Sequence, residues 1–498
     1  MTEPSLKDKM EIEHKDNLKQ KAATGMIWTA VQRYSKIVTG FVSGIILARL
    51  LTPVDYGAIG MLAIFMSLAE VFIDAGFGSA LIQKKNPTQT DYSTVFFFNI
   101  GMSTVLYTVI FFCAPLIANF YHMPILCKIL RIQGLILFIY AFNIIQRNQI
   151  RKDLRFKKLS TITIITSIIS LVVTVIMAYT GCGVWSLVAQ NFLGALIPCI
   201  FFWVTTDWHP TWEYSWKSFR ELFGFGFYMF LSHLIDTLAG KISGLLIGRW
   251  YNPATMGYYA KASSTERLAS ENVSGVMVQT TYPLYASVQD DKQRLANMVK
   301  RITSTLAYIT VPMLCLLIVI AKPLFVLLYS DRWLPCVPYF QILCFAGMAN
   351  CLQAVNNQTI AAIGKSGVMF VWNVIKQSVG ITLQVVGLIF WGMKGLMVGL
   401  VVASWFSYSV NISLVSKHVG YKNYQQLKDL APIIVVAVIA SVLSYFIGAL
   451  LSCGMYSIAI VQVVVFTSVY LGWSVLFKPE AYTYTLAVLN IIKSKRKK

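Results

Sequence analysis

Apolar windows long enough to carry a helix across the ~30 Å hydrocarbon core of a bilayer recur along almost the whole chain. Fourteen can be drawn, at 24–48, 58–82, 94–118, 129–150, 159–180, 183–205, 222–248, 258–287, 301–328, 337–362, 368–391, 394–416, 431–452 and 456–477. Barrel strands need only ~10 residues, so the windows predict helices. The longest polar stretch, 1–23, cannot bury a core of its own. That leaves no room for a soluble enzyme on a membrane tail. Composition agrees: 56 % of residues are hydrophobic and 13 % charged, against ~25 % charged in an average globular domain. The expectation is an all-α polytopic membrane protein with fourteen transmembrane helices.

The net charge of +21 would suggest nucleic acid in a soluble protein. Here the cations sort by loop instead. With both termini cytoplasmic, 29 lysines and arginines fall in the N-terminus, alternate loops and C-terminus, against five on the other side. Cytoplasmic loops collect Lys and Arg, and one miscounted helix would scramble the alternation. No nucleic-acid partner is therefore expected. The nine cysteines form no CxxC pair and the five histidines are scattered, so no metal site or cofactor is expected either. No cleavable signal peptide is expected, because 1–23 is charged throughout. A GxxxxGK[ST] phosphate loop is absent, which speaks against direct ATP drive.

The chain repeats itself at an offset of 200 residues. GFVSGIILARLLTPVDYG at 40–57 aligns with GKISGLLIGRWYNPATMG at 240–257, matching at Gly40/Gly240, Ser43/Ser243, Gly44/Gly244, Arg49/Arg249, Pro53/Pro253 and Gly57/Gly257. The offset equals six helices, so the copies are parallel, as in transporters whose two halves rock about an axis along the membrane normal. The predicted organisation is a cytoplasmic segment 1–23, an N-lobe of six helices at 24–205 and a C-lobe of six at 222–416. Two extra helices at 431–477 and a basic cytoplasmic tail at 478–498 follow.

ARLLTPVDYGAIGM, the following EVFIDAGFGSALIQ, the basic segment RNQIRKDLRFKKLS and the turn NPATMGYYAKA together resemble the polysaccharide exporters of the MOP superfamily, the Wzx-type flippases. The resemblance covers nearly the whole chain. It implies a V-shaped pair of lobes around a central cavity lined largely by helices 1, 2, 7 and 8. It also implies a place in the bacterial cytoplasmic (inner) membrane and a cargo of undecaprenyl-pyrophosphate-linked oligosaccharide, flipped outward for O-antigen, capsule or exopolysaccharide synthesis. Membrane lipids would be the other partners, with H+ or Na+ as a coupling ion, and the chain would not be an enzyme. A multidrug or organic-cation antiporter shares the implied fold. A membrane polymerase or ligase is the alternative of another class, and the short outer loops argue against it.

Charges inside the windows are the candidate site, since buried charges face a partner or a wet cavity. At 1.5 Å rise per residue, Arg33 and Lys36 lie ~14 and ~18 Å from the cytoplasmic end, and Glu70 and Asp74 at ~18 and ~12 Å. Each pair shares a helix face. Lys36–Glu70 and Arg33–Asp74 are thus candidate bridges, either stapling two helices or releasing their cations to a pyrophosphate. Asp236 and Lys241 on helix 7, and Glu266, Arg267 and Glu271 on helix 8, repeat the theme. His233 and Asp236 could relay a proton or simply pack. Helix 8, with KASSTERLASENVSG, is too polar for lipid and should line protein or water. The cationic cargo candidates are Arg33, Lys36, Arg49, Lys241, Arg249 and Arg267; the coupling acids are Glu70, Asp74, Asp236 and Glu271. These charges nearly cancel on helices 1, 2, 7 and 8, so a cationic surplus would have to come from Arg49, Arg249 or Lys376. Lys261 is expected to snorkel at an outer helix end.

Overall fold

The computed structural model describes residues 6–486 apart from 85 and 154. The first five residues and 487–498, most of the predicted basic tail, lie outside the described residues. Two compact units divide the chain at Met256, so the seventh predicted span lies in the first unit with the first six.

The first unit contains α1 (Leu6–Leu50), α2 (Pro53–Asp74), α3 (Phe77–Gln83), α4 (Gln89–Phe120) and α5 (Ile125–Gly134). It continues with α6 (Ile136–Lys152), α7 (Phe156–Tyr179), α8 (Val184–Thr205) and α9 (Trp216–Trp250). The second unit follows with α10 (Pro253–Ala286), α11 (Lys292–Val319), α12 (Ala321–Tyr329), α13 (Cys336–Ala362), α14 (Ser366–Val419), α15 (Asn423–Leu450) and α16 (Met455–Phe477). Every predicted window is mostly helical, with breaks inside the windows 58–82, 129–150 and 301–328, and the described residues contain no strand. Among the described residues, ten helical stretches are long and apolar enough to cross a membrane. The chain is a polytopic all-α membrane protein, and the fourteen-window map is consistent with it.

Two windows are merged in α14, which turns back at Gly392 (φ 61°, ψ −141°). Only glycine adopts that conformation freely. A Cβ at Gly387 would collide with the Gly395 carbonyl, and one at Gly395 with the Gly387 carbonyl, so the two halves touch backbone to backbone. Small residues permit such approach between membrane helices.

The repeat has a structural counterpart. α2 opens with Pro53 behind Thr52, whose Oγ1 accepts from the Asp55 N–H at 3.3 Å while Asp55 accepts from the Thr52 N–H at 2.9 Å. α10 opens with Pro253 behind Asn252, whose Oδ1 accepts from the Thr255 N–H at 2.7 Å. Proline at the first helical position and a side-chain cap before it both favour initiation.

Window 2 is broken in the structure. α2 ends at Ala75 (φ 43°) and Gly76 (φ 78°), and α3 restarts at Phe77. A Cβ on Gly76 would strike the Gly226 carbonyl of α9. The break seats Phe77, fully buried, among Phe98, Phe219 and Phe223 at centroid distances of 5.0, 5.6 and 5.9 Å. This aromatic cluster binds α3 to α4 and α9.

Candidate functional site: a polar cavity inside the first unit

Five faces of the first unit turn polar residues toward one another around a cavity of about 750 Å³. α1 contributes Gln32, Lys36, Thr39 and Ser43, spaced so that one helical face carries all four. Gln133 of α5 and Tyr140, Asn143 and Arg147 of α6 form a second stripe. α7 adds Thr163, Thr166, Ser167 and Ser170, α8 adds Gln190 and Asn191, and α2 adds Ser67 and Glu70.

Some of these groups hold the walls together. Gln32 Nε2 donates to Thr163 Oγ1 at 2.9 Å, tying α1 to α7. Gln190 Nε2 donates to Ser43 Oγ at 2.8 Å, tying α8 to α1. Others are unspent: Gln133 Nε2 and Asn143 Oδ1 are buried without a hydrogen-bond partner among the described residues. Buried polar groups are nearly always paired, so amides of this kind at a cavity wall are available to a polar ligand.

The charges sit differently from the predicted bridges. Glu70 does line the same cavity as Lys36, but its cationic neighbours are Lys241 of α9 and Arg147 of α6. Asp74 lies against the start of α3, where a Cβ on Gly78 would meet its Oδ1, and its charged neighbours are His233 and Arg147. Rise along a helix fixes height, and pairing also depends on rotation about the axis, which brings Lys241 and Arg147 beside Glu70.

The remaining candidates are dispersed. Arg33 lies on α1 and Asp236 on α9, neither in the cavity wall. Arg49 is exposed at the end of α1. Arg249 donates to the Phe120 carbonyl at 3.1 Å, contacts His122 Nε2 at 2.9 Å and stacks 4.9 Å from the Phe120 ring. It clamps the end of α4. Arg267 and Glu271 pair with each other at 3.7 Å on an exposed face of α10. Lys376 is buried and donates to Asn411 Oδ1 at 2.9 Å, joining the two halves of α14. None of Arg49, Arg249 and Lys376 lines the first-unit cavity; the additional cation there is Arg147.

Lys261 departs from the snorkelling expectation. It is buried, with Nζ 4.0 Å from the Tyr329 ring centroid and 5.8 Å from that of Trp333. Aromatic faces stabilise a desolvated ammonium. The polar helix α10 also resolves into two faces: Arg267 and Glu271 are exposed, whereas Thr265, Glu266, Ser270 and Ser274 are buried.

Arg147 lies in the window 129–150 but opens the basic run RNQIRKDLRFKK, so the sequence groups it with the cations of the loop that follows. The signal that could have recovered it is the 133–140–143–147 spacing, a helical stripe of polar residues in an otherwise apolar window.

Comparison with known proteins adds the following. The model of a family described as polysaccharide biosynthesis protein matches residues 46–338. The chain is 23 % identical to the teichuronic acid biosynthesis protein TuaB of Bacillus subtilis over 352 residues, covering 70 % of this chain and 73 % of that protein. It is 22 % identical to the lipopolysaccharide biosynthesis protein WzxC of Escherichia coli over 421 residues, covering 82 % and 84 %. Among solved structures, the lipid II flippase MurJ in an inward closed conformation superimposes with a TM-score of 0.74 at 15 % identity, covering 91 % of this chain and 98 % of that one. An inward-facing multidrug resistance MATE transporter of the MOP superfamily gives 0.62 at 12 %, covering 80 % and 98 %. At such identities the structural likeness is one of fold.

Proposed function

Because the chain belongs to the polysaccharide biosynthesis protein family, we propose that it flips undecaprenyl-pyrophosphate-linked oligosaccharide repeat units from the inner to the outer leaflet of the bacterial cytoplasmic membrane. Family and relatives make it a multi-pass transporter of polysaccharide biosynthesis, not an enzyme. In this reading the lobes 24–205 and 222–416 alternate access, 431–477 flanks them and both termini are cytoplasmic. Transport is driven by an ion gradient or by the membrane potential, worth ~2.3 kcal/mol per elementary charge per 100 mV.

The observation that carries the reading is the chemistry of the first-unit cavity. Amides, hydroxyls and a tyrosine suit sugar hydroxyls. Lys36 and Arg147 stand on its wall beside a single wall carboxylate, Glu70. That balance favours an anionic headgroup, because phosphate and carboxylate oxygens bind guanidinium and ammonium groups strongly. It disfavours an organic-cation antiporter, whose cavity would want surplus carboxylate.

The test uses a strain whose surface polysaccharide depends on this protein. Arg147→Met and Lys36→Met should each lower export at least ~10-fold, equivalent to a loss of ~1.4 kcal/mol in cargo stabilisation, at unchanged membrane abundance. Arg147→Lys should retain part of the activity, since a point charge still attracts phosphate without the guanidinium fork. Normal export from both abundant Met variants would sink the assignment of this cavity.

A further inference from the structure

The hairpin of α14 carries another concavity, wholly within the second unit. It lies between the two halves of the helix and holds about 700 Å³. Val368, Val371 and Trp372 of the first half line it from one side, and Ser409, Ser413 and Lys417 of the second half from the other, with His418 beside Lys417. Each set recurs at three- to four-residue spacing, so each occupies one helix face.

Distance along the hairpin fixes where this groove sits in a membrane. At the turn, Trp391 and Lys394 are exposed beside Gly392, and tryptophan and lysine gather at membrane–water interfaces. Measured from Gly392, Trp372 and Ser413 lie ~30 and ~32 Å along the two halves, and Lys417 lies ~38 Å. The hydrocarbon core is ~30 Å thick. A turn at one boundary therefore brings Trp372 and Ser413 to the other, at the level of lipid ester groups. Lys417 stands beyond it, among the phosphates. This is the end of α14 that the charge bias assigns to the cytoplasm.

The groove is basic at its mouth and apolar below. Lys417 and His418 stand in its wall, and among the described residues no carboxylate lines it. Exposed lysines flank it, Lys365 directly before α14 and Lys422 directly before α15. The start of α15 reaches the wall, since Asn423 Nδ2 donates to Ser413 Oγ at 3.1 Å. Gly367 leaves the mouth open, with nothing within 4 Å of where a Cβ would lie. Toward the turn the same two faces continue through Val371, Ile375 and Val402, which are 55, 38 and 47 % exposed. Such a surface complements an amphiphile with an anionic head. Basic pockets between transmembrane helices on the cytoplasmic side take anionic lipid headgroups in this way.

We propose that this groove binds an anionic glycerophospholipid of the cytoplasmic leaflet. Its phosphate rests on Lys417 and His418, its ester groups lie beside Ser413 and the Trp372 indole, and an acyl chain follows Val371, Ile375 and Val402. The lipid bridges the two halves of α14 and so stabilises the second unit. It is a resident lipid, and the assignment is independent of the cargo. Lys417 and His418 also lie in the last turn of α14, where a cation complements the helix dipole. That role needs no lipid, so the two can be separated.

The test uses the purified full-length protein, stripped of lipid in detergent and offered dioleoyl-phosphatidylglycerol and dioleoyl-phosphatidylethanolamine in equal amounts. Native mass spectrometry reads which lipid is retained. The wild type should retain phosphatidylglycerol about tenfold more, the difference expected of one charge-assisted contact. Lys417→Gln should lose the preference by removing the charge, and Val371→Trp by filling the groove, whereas Lys417→Arg should keep it. Phosphatidylglycerol, but not phosphatidylethanolamine, should raise the thermal unfolding midpoint of the wild type, and should leave those of Lys417→Gln and Val371→Trp unchanged. Equal retention of the two lipids by the wild type, or survival of the preference in either of those two variants, overturns the site. A lower lipid-free midpoint in Lys417→Gln with the preference intact would reduce Lys417 to a helix-end cation. Displacement of phosphatidylglycerol by an equal amount of undecaprenyl phosphate would make the groove a cargo-lipid site and overturn the resident lipid. Retention without a rise in midpoint overturns the bridging role.

Discussion

Thr52 and Asn252 stand 200 residues apart and do the same work: each accepts the backbone N–H three residues on, at 3.3 and 2.7 Å, in front of a proline that opens a helix. The repeat detected in the sequence is therefore a repeat of helix-start chemistry. Loss of such a cap typically costs ~1 kcal/mol. Thr52→Ala and Asn252→Ala should each lower the thermal unfolding midpoint in detergent, and Thr52→Ser and Asn252→Asp should preserve it. Equal midpoints for the Ala and conservative variants would show that the caps contribute nothing.

Glu70 and Lys241 should couple. Lys241→Met alone leaves the carboxylate with one fewer compensating cation, whereas Lys241→Met with Glu70→Leu removes both charges, a change that is often neutral or stabilising for a buried pair. The double variant should be more abundant than the single, with a coupling of ~0.5–3 kcal/mol in a cycle measured by unfolding. Lys36→Met should show much weaker coupling to Glu70. Strong Lys36–Glu70 coupling would revive the bridge suggested by helix depth.

Lys84 ties three segments, with Nζ 3.0 Å from Asp91 and 3.2 Å from Glu221. Partial burial pulls its ammonium down, but the bonds and charges of Asp91 and Glu221 outweigh this and raise it above the ordinary lysine value. The contribution to stability is therefore complete below the unfolded lysine pKa of ~10.4 and is lost as pH rises through the higher folded value. Lys84→Met should cut the unfolding midpoint at pH 7 and make it less sensitive to alkali than the wild type. Parallel alkaline curves for the two proteins would contradict this.

Topology is tested by single cysteines in a functional background lacking the native thiols. Membrane-impermeant reagents applied outside should label Thr255→Cys, and spare Asn86→Cys, Asp153→Cys and Lys422→Cys until the membrane is opened. Outside labelling at Asp153→Cys would overturn the orientation drawn from the charge bias.

The helices were legible because twenty-residue apolar windows have few other solutions in a bilayer. Breaks within them were not: Ala75–Gly76 and Gly392 interrupt windows or join them through backbone conformation, and the hydropathy of these residues carries no trace of it. At the site, Lys36 and Glu70, singled out as a cargo cation and a coupling acid, both line the cavity. The cationic neighbours of Glu70 were missed because contact depends on which way each helix is turned. Arg147 was hidden by the basic loop that follows it. Lys261 was misread for a different reason: its aromatic box comes from Tyr329 and Trp333, some seventy residues later in the chain. Glu266 was visible as a charge, but its burial against Gly347 of α13 was not, because sequence alone does not bring the two together.

The turn at Gly392 bears on how the protein is made. Gly387 meets Gly395 only eight positions later, so closing that contact costs little chain entropy. The two halves of α14 can reach their final register as soon as the ribosome has released them, while α15 and α16 are still being synthesised. Biogenesis of the second unit thus has a native helix pair to build upon before its last partners exist. An alanine at Gly395 would act there first, as a delay in membrane integration, ahead of any effect on the finished transporter.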